Sequence, residues 1–171
     1  YAVSKMAQDN LGYVYFLNYG MNIVRTRMFT YLNARRADLF ATAFAKQILE
    51  IKHGTRKVLE HGNLETVRTF IDVREAAEAY WIATQKCKMG EVYNIGGTVG
   101  IRIGDFLEML INKMNVSVKT YQNPALLRPS DITVQIPSME KFTRDTGWKP
   151  VIPFDKSVDY FIEELYRFWD Q

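Results

Sequence analysis

The sequence predicts an α/β fold with parallel strand pairing, and three observations support this prediction. Short apolar strands alternate with amphipathic helices along the 171 residues, a pattern typical of parallel sheets with crossover helices. Hydrophobic residues make up 47% of the chain, which is enough for a packed core. Only two or three of the expected strands are long and buried, whereas a doubly wound sheet usually has about five or more. We therefore expect part of such a sheet together with a smaller domain.

Periodicity and glycine stops define the first elements. Residues 2–19 are predicted as a helix that ends at Gly20, because glycine is the usual helix terminator. Alternating apolar and polar residues over 22–29 predict a strand. An amphipathic helix is expected over residues 38–52, with Gly54 just after its end.

The middle of the chain continues the alternation. Residues 57–59 and 69–73 are predicted as strands, and the second leads into a helix over residues 74–86. Residues 91–95 predict another strand. The glycine-rich run 96–100 (GGTVG) lacks both the G-x-G-x-x-G spacing and the Walker lysine, so a turn is favoured over a phosphate-binding loop.

The last part of the chain is expected to be mostly helical. Residues 103–114 predict a helix, followed by a strand near 118–121. A loop stiffened by Pro129 separates this strand from two closing helices at 138–146 and 154–169.

Charge and cysteine content exclude several classes of protein. The net charge is only +3 and the two signs are interspersed, so neither nucleic-acid nor membrane binding is expected. Cys87 is the single cysteine, which excludes an intrachain disulfide and favours a reducing, cytoplasmic location. His53 and His61 lack metal-ligand spacing and are expected at the surface, so no metal site is predicted.

Tyr1 and Lys5 are the first candidate for chemistry. Four residues apart on a helix, they share one face. An ammonium group near a phenol favours the phenolate, and such a phenol transfers a proton at a substrate hydroxyl or carbonyl. An ordinary solvated lysine one turn from an aromatic ring is the alternative. A helix that starts at residue 1 without a preceding cap also suggests that the chain belongs to a longer protein.

Arginines in loops are the second candidate. Arg35 and Arg36 lie in a polar stretch between a strand and a helix, and paired guanidiniums suit a phosphate group. Arg68 directly precedes a strand, while Arg128 and Asp131 share a loop. An arginine binds phosphate well, and a carboxylate binds the diol of a ribose. Solvated arginines, or ion pairs within the loops, are the alternatives.

Five short runs in a fixed order indicate a known family. They are residues 1–5 (YAVSK), 68–74 (RTFIDVR), 90–97 (GEVYNIGG), 128–131 (RPSD) and 146–150 (TGWKP). The first resembles the YxxSK helix of extended short-chain dehydrogenase/reductases, and the next two resemble their R-D-F-x-x-V-x-D segment and last core strand. The last two are similar to the C-terminal half of the GDP-sugar members, above all the GDP-mannose 4,6-dehydratases. The resemblance covers nearly the whole chain.

This resemblance implies the C-terminal part of a Rossmann-type doubly wound sheet plus a small α/β sugar-nucleotide-binding domain. Residues 1–29 and 69–97 would be the remnant of the NAD(P)-binding domain, and residues 30–68 and 98–171 would bind the GDP-sugar. The family's first half carries the glycine-rich pyrophosphate loop, a catalytic Ser/Thr and the dehydratase glutamate. No run of this chain resembles these parts, so we expect the 171 residues alone to be inactive.

The resemblance also implies roles for the candidates. Tyr1 would take the proton of the sugar C4 hydroxyl as hydride passes to NADP (or NAD), and Lys5 would hold Tyr1 near phenolate and bond the nicotinamide ribose. The pair at residues 35–36 would reach the cofactor, including that of an adjacent subunit. The protein would be a homodimer or homotetramer associated through its first helix.

Arg68, Arg128 and Asp131 would bind the GDP-sugar substrate. The run 29–42 resembles the arginine-pair loop of the dehydratases, whereas 44–48 (FAKQI) resembles GDP-6-deoxy-4-keto-mannose reductases. The dehydratase is favoured; the reductase, another NAD-dependent sugar-nucleotide epimerase or dehydratase, and a non-catalytic sugar-nucleotide-binding module remain alternatives.

Overall fold

Helices and short strands alternate along the part of the chain that the computed structural model describes, residues 1–128 and 130–170. Pro129, expected to stiffen a loop, lies outside the described residues. The helices are α1 (Ala2–Tyr19), α2 (Phe40–Lys52), α3 (Val73–Lys86), α4 (Ile103–Met114), α5 (Glu140–Thr146) and α6 (Phe154–Trp169). The strands are β1 (Arg25–Met28), β2 (Tyr31–Leu32), β3 (Leu59–His61), β4 (Val67–Thr69), β5 (Ile71–Asp72), β6 (Val92–Ile95), β7 (Gly100–Arg102), β8 (Thr120–Gln122) and β9 (Val134–Gln135).

The described strands pair mostly in parallel. The pairs β1–β6, β2–β5 and β3–β8 each form a two-stranded parallel sheet. The central strand β4 runs antiparallel to β7 and parallel to β9. The predicted α/β class with parallel pairing is therefore confirmed.

The helix predictions agree with the structure better than the strand predictions do. The expected strand 69–73 is in fact two strands, because Phe70 leaves the ladder and enters the core with 7% of its surface exposed. The strand expected at 57–59 begins at Leu59. The strands β2, β7 and β9 have two or three residues each, too few to produce a periodic signal.

Helix α1 ends where the sequence predicts. Gly20 has φ 62°, in the left-handed region, and its N–H donates to the Phe16 carbonyl at 3.0 Å. No residue of α1 is buried. Its exposed bulky apolar side chains are Val3, Met6, Leu11, Tyr13, Val14, Tyr15, Leu17 and Tyr19.

One core lies between α2, α4 and α6. Its centre is a group of phenylalanine rings, in which Phe40 meets Phe70 at 5.9 Å and Phe106 at 6.1 Å between ring centroids. Phe154 at the start of α6 lies 5.2 Å from Phe70. Because such edge and tilted contacts pack rings efficiently, they hold the three helices together.

A second core lies beneath β1 and β6. Tyr93 and Ile95 point from β6 into it, where they meet Ala79 of α3 and Phe142 of α5. Helix α5 thus packs on elements of the expected cofactor domain, although the sequence assigns residues 138–146 to the substrate domain. The division of the chain into two domains stays a prediction.

The turn after β6 has a packing requirement for glycine. A Cβ on Gly97 would come within 2.0 Å of the Phe70 carbonyl oxygen, so only glycine fits there. The close approach of the Phe70 backbone is thus enough to explain why residue 97 is glycine, and no phosphate-binding role is needed.

Two single-residue expectations have different outcomes. His53 is exposed, but His61 is buried at 8% exposure. His61 shares one face of β3 with the buried Leu59, because side chains of a strand alternate with a period of two.

Cys87 is free and buried. In the described part of the chain, no helix combines the length and apolar character that crossing a membrane requires.

Candidate active site

Tyr1 and Lys5 lie on one side of the first turn of α1. The Lys5 N–H donates to the Tyr1 carbonyl at 3.0 Å, and its ammonium lies 5.7 Å from the centroid of the Tyr1 ring. The ammonium also donates to Gln8 Oε1 at 3.2 Å. Because 96% of Tyr1 is exposed, its hydroxyl is accessible to a ligand. The pair has the geometry that the spacing predicts.

The pair opens onto a cavity of about 810 Å³ between α1 and β1. Asp9 lies one turn beyond Lys5 and forms ion pairs with Arg25 and Arg27 of β1. One carboxylate thus meets two guanidiniums, and with the Lys5 ammonium beside them this wall keeps a net positive charge. Besides Tyr1 and Lys5, the lining includes Met6, Gly12, Ile23, Val24, Thr26, Met28 and Tyr80.

Sequence reasoning missed Asp9 and Tyr80. Asp9 had a local signal, because positions 1, 5 and 9 repeat at four-residue spacing and share a helix face. Tyr80 had none, since it reaches the cavity from α3. Burial raises the pKa of Tyr80 above its ordinary value.

Arg35 and Arg36 diverge in the structure. Arg36 donates from Nε and Nη2 to the two carboxylate oxygens of Asp38, at 2.8 and 2.7 Å. The hydrogen bonds with Asp38 raise the pKa of Arg36. The Arg35 guanidinium instead lies 4.3 Å from the centroid of Phe168 and 3.8 Å from Glu164 Oε2.

Arg35 lines a second cavity, of about 290 Å³, between α3 and α6. Arg74 also lines this cavity, and its guanidinium lies 3.9 Å from the centroid of the Tyr160 ring. Arg74 also donates to both carboxylate oxygens of Asp72, at 2.9 and 2.8 Å. Tyr1 and Arg35 line different cavities within this chain.

Arg68 and Asp131 come together across β4. Arg68 Nη2 is 3.5 Å from Asp131 Oδ1, with 16% and 24% of the two side chains exposed. Arg68 Nη1 also donates to the Val67 carbonyl at 2.8 Å. Val67 of β4 pairs in parallel with Val134 of β9. This pairing places Asp131, which comes shortly before β9, next to β4.

Arg128 lies in the same loop as Asp131 but projects into solvent. Three residues span at most about 11 Å, so Arg128 stays near the Arg68–Asp131 pair. Among the described residues, Arg128 forms no hydrogen bond or ion pair with either of them. Two of the three predicted substrate residues are thus in contact, and the third lies close by in sequence.

Comparison with known proteins identifies the family. The family model described as GDP-mannose 4,6 dehydratase matches residues 1–161. The chain belongs to this family.

The chain is similar to curated proteins whose names give two different activities. GDP-6-deoxy-D-mannose reductase of Pseudomonas aeruginosa is 29% identical over 160 residues, covering 92% of this chain and 53% of that protein. GDP-mannose 4,6 dehydratase 2 of Arabidopsis thaliana is 26% identical over 167 residues, covering 96% of this chain and 44% of that protein. The chain therefore spans about half the length of these curated relatives.

Solved structures confirm the fold. The structure of RMD from Pseudomonas aeruginosa complexed with NADPH has a TM-score of 0.87 and 25% identity, covering 98% of this chain and 56% of that one. The structure of UDP-glucose 4-epimerase from Thermotoga maritima has a TM-score of 0.84 and 19% identity, covering 100% of this chain and 54% of that one. At this identity the similarity concerns the fold alone. The predicted membership of the extended short-chain dehydrogenase/reductases, GDP-sugar group, and the Rossmann-type fold are thereby confirmed.

Proposed function

We propose that the intact protein is a GDP-mannose 4,6-dehydratase that forms GDP-4-keto-6-deoxymannose with NADP or NAD as cofactor. The Tyr1–Lys5 pair at the mouth of a large cavity, in a chain that matches this family over residues 1–161, carries the proposal. The cytoplasmic location expected from Cys87 stays a prediction.

The residues at the first cavity fit the nicotinamide end of such a cofactor. Its volume of about 810 Å³ lies within the usual range for ligand sites. Tyr1 offers a hydroxyl and Lys5 an ammonium, the donors that a ribose diol and a carboxamide accept. When bound, the nicotinamide accepts a hydride from the sugar and later returns it.

Tyr1 acts as the acid–base group in this proposal. Its phenolate accepts the proton of the sugar C4 hydroxyl as C4 becomes a ketone, and the Lys5 ammonium stabilises the phenolate. The C5 proton and the C6 hydroxyl then leave together as one water, and return of the hydride to C6 with a proton to C5 completes the product. The C5 base is assigned to the family's first half, which no run of this chain resembles. In a reductase, Tyr1 would instead protonate the oxygen of a C4 ketone.

The nucleotide of the substrate is assigned to the loop above β4. Arg68 and Arg128 would bind the pyrophosphate, and Asp131 would accept hydrogen bonds from a ribose diol. The 3.5 Å contact between Arg68 and Asp131 supports this assignment, because it orients both groups before the ligand arrives.

Replacing Arg128 with alanine in the full-length protein should weaken GDP-mannose binding. Loss of one charge-assisted hydrogen bond costs roughly 1.5–3 kcal/mol, or about a tenfold to hundredfold rise in Kd. Calorimetric titration with GDP-mannose measures this change. Arg144→Ala, which removes another exposed arginine, on α5, should bind normally. Equal affinity of both variants would contradict the assignment of Arg128.

The reductase is a second candidate because the 29% identical relative has that activity. Full-length protein is incubated with GDP-mannose and catalytic NADP, without added reductant. A 4-keto-6-deoxy product supports the dehydratase, since its hydride is returned. Consumption of NADPH only when the 4-keto sugar is supplied would establish the reductase instead. Binding of GDP-mannose without either turnover would identify a non-catalytic module.

We further propose that α1 mediates assembly into a homodimer or homotetramer. None of its residues is buried, and its bulky apolar side chains occupy more than one face. Val14→Asp in the full-length protein should shift the mass measured by light scattering towards the monomer. The matched variant Val99→Asp, at another exposed valine, should not. A wild-type protein that is monomeric at high concentration would contradict this proposal.

A further inference from the structure

The segment between β8 and β9 carries two of the proposed substrate residues, Arg128 and Asp131. Its second end is attached to β4, because the Thr133 carbonyl accepts a hydrogen bond from the Val67 N–H at 2.7 Å and Asp131 Oδ1 lies 3.5 Å from Arg68 Nη2. Arg128 is exposed and lies nearer the first end. The contacts that fix the first end therefore determine where the backbone of this arginine lies.

Asn123 attaches the first end to β3. Its backbone N–H donates to the His61 carbonyl at 2.9 Å, and its side-chain Nδ2 donates to Glu60 Oε2 at 2.7 Å. A hydrogen bond to a carboxylate is stronger than one between two neutral groups. One residue thus binds both the backbone and a side chain of the strand.

The same asparagine shapes the turn that follows it. Asn123 Oδ1 accepts from the Ala125 N–H at 2.9 Å, at the start of the 3₁₀ turn Pro124–Leu126. The Leu127 N–H donates to the Pro124 carbonyl at 3.1 Å. Asparagine suits this position because its amide offers a donor and an acceptor at once. The backbone is therefore fixed as far as Leu127, the residue before the exposed arginine.

Glu60 is itself held by α2. Its N–H donates to Gln47 Oε1 at 2.8 Å, and its carbonyl accepts from Gln47 Nε2 at 3.1 Å. The next residue of α2, Ile48, is fully buried in the first core. The carboxylate that accepts from Asn123 therefore extends from a strand that a core helix holds in place.

Apolar packing contributes little to the attachment of the turn. Leu126 and Leu127 are 52% and 43% exposed, so neither side chain is buried against β3. A Cβ on Gly62, which follows β3 directly, would come within 2.7 Å of the Leu126 carbonyl oxygen. The turn thus lies against the backbone at the end of β3, and the hydrogen bonds of Asn123 hold it there.

We infer that Asn123 is a positioning residue for Arg128, and that it acts by fixing the backbone from which the guanidinium reaches the pyrophosphate of the GDP-sugar. This inference rests on the proposed function. Asn123 itself does not contact the ligand. Fixing the backbone before binding lowers the conformational entropy that binding must overcome. Loss of the asparagine therefore weakens binding of the GDP-sugar and leaves binding of the nicotinamide cofactor unchanged.

The first test measures the Kd of GDP-mannose and of NADP by calorimetry on the full-length protein. Asn123→Ala removes both side-chain hydrogen bonds and should raise the Kd of GDP-mannose about fivefold. The Kd of NADP should change less than about twofold, whereas general destabilisation would weaken both ligands. Asn112→Ala, the same change at an exposed position of α4, is the matched control and should bind both ligands as the wild type does.

A reversed hydrogen bond separates positioning from simple loss of a side chain. Asn123→Asp keeps an acceptor for the Ala125 N–H but places a second carboxylate against Glu60, and should raise the Kd of GDP-mannose about tenfold. Glu60→Gln then supplies an amide donor to the new carboxylate. The combined variant Asn123→Asp/Glu60→Gln should therefore return to within about twofold of wild-type affinity. A combined variant as weak as Asn123→Asp alone would contradict the inference.

A double variant tests whether Asn123 acts through the arginine. Arg128→Ala/Asn123→Ala should bind GDP-mannose no more weakly than Arg128→Ala alone. Additive losses, or wild-type affinity of Asn123→Ala, would overturn the inference while leaving the proposed function intact.

Gly62→Ala decides in place of Asn123→Ala if the latter does not fold. It displaces the turn through the Leu126 carbonyl without removing a hydrogen-bonding group, and should give the same selective rise in the Kd of GDP-mannose. Wild-type affinity of this variant would then overturn the inference. A wild-type protein that binds no GDP-mannose would refute the proposed function and the inference together.

Discussion

Tyr1→Phe in the full-length protein should lower kcat by about a hundredfold to ten-thousandfold, the usual contribution of a positioned acid–base group. The ring is retained and only the hydroxyl is lost, so binding of GDP-mannose should be unaffected. Lys5→Met should also lower kcat and, if Lys5 binds the nicotinamide ribose as proposed, weaken NADP binding as well. Steady-state kinetics together with calorimetric titration of each ligand measure these effects.

The control is a second exposed tyrosine on the same helix. Tyr19 lies in the last turn of α1 with 70% of its surface exposed, and Tyr19→Phe removes the same atom far from Lys5. It should retain wild-type kcat. If Tyr1→Phe kept more than about a tenth of wild-type kcat, Tyr1 would not be the acid–base group.

The local part of the candidate site was predictable from the sequence. One helical turn separates Tyr1 from Lys5, so a correct helix assignment is enough to place both on one face. Helix α1 in turn has a clear stop at Gly20, where the left-handed conformation favours glycine. Features that depend only on residues within one helical turn can thus be predicted from residue spacing and residue type.

Contacts between distant segments were not predictable in the same way. The expected strand at residues 69–73 is divided because Phe70 packs among rings from α2, α4 and α6, and local alternation does not contain that information. His61 is buried for a related reason, since its strand is covered on one face by the core. The pairing of Arg35 with Phe168 likewise depends on how α6 packs.

Glu75 is another contact of this kind, and it is expected to matter most for stability. It lies in the first turn of α3 with 4% of its surface exposed. Its Oε1 accepts hydrogen bonds from the backbone N–H groups of Val151 and Ile152, the second at 2.8 Å. These bonds attach the segment before α6 to α3. Within the described residues, Oε2 is buried without a hydrogen-bond partner.

Glu75→Ala should therefore lower the free energy of unfolding by about 3 kcal/mol, because two backbone donors lose a charged acceptor at once. Glu75→Gln retains an oxygen at the Oε1 position and should cost only about 1 kcal/mol. Urea denaturation followed by circular dichroism measures both changes. The control Glu78→Ala, on the exposed side of the same helix, loses its hydrogen bond from Trp148 and should cost less than about 1 kcal/mol. Equal losses for Glu75→Ala and Glu78→Ala would mean that the two N–H groups find other acceptors and that Glu75 does not hold the segment.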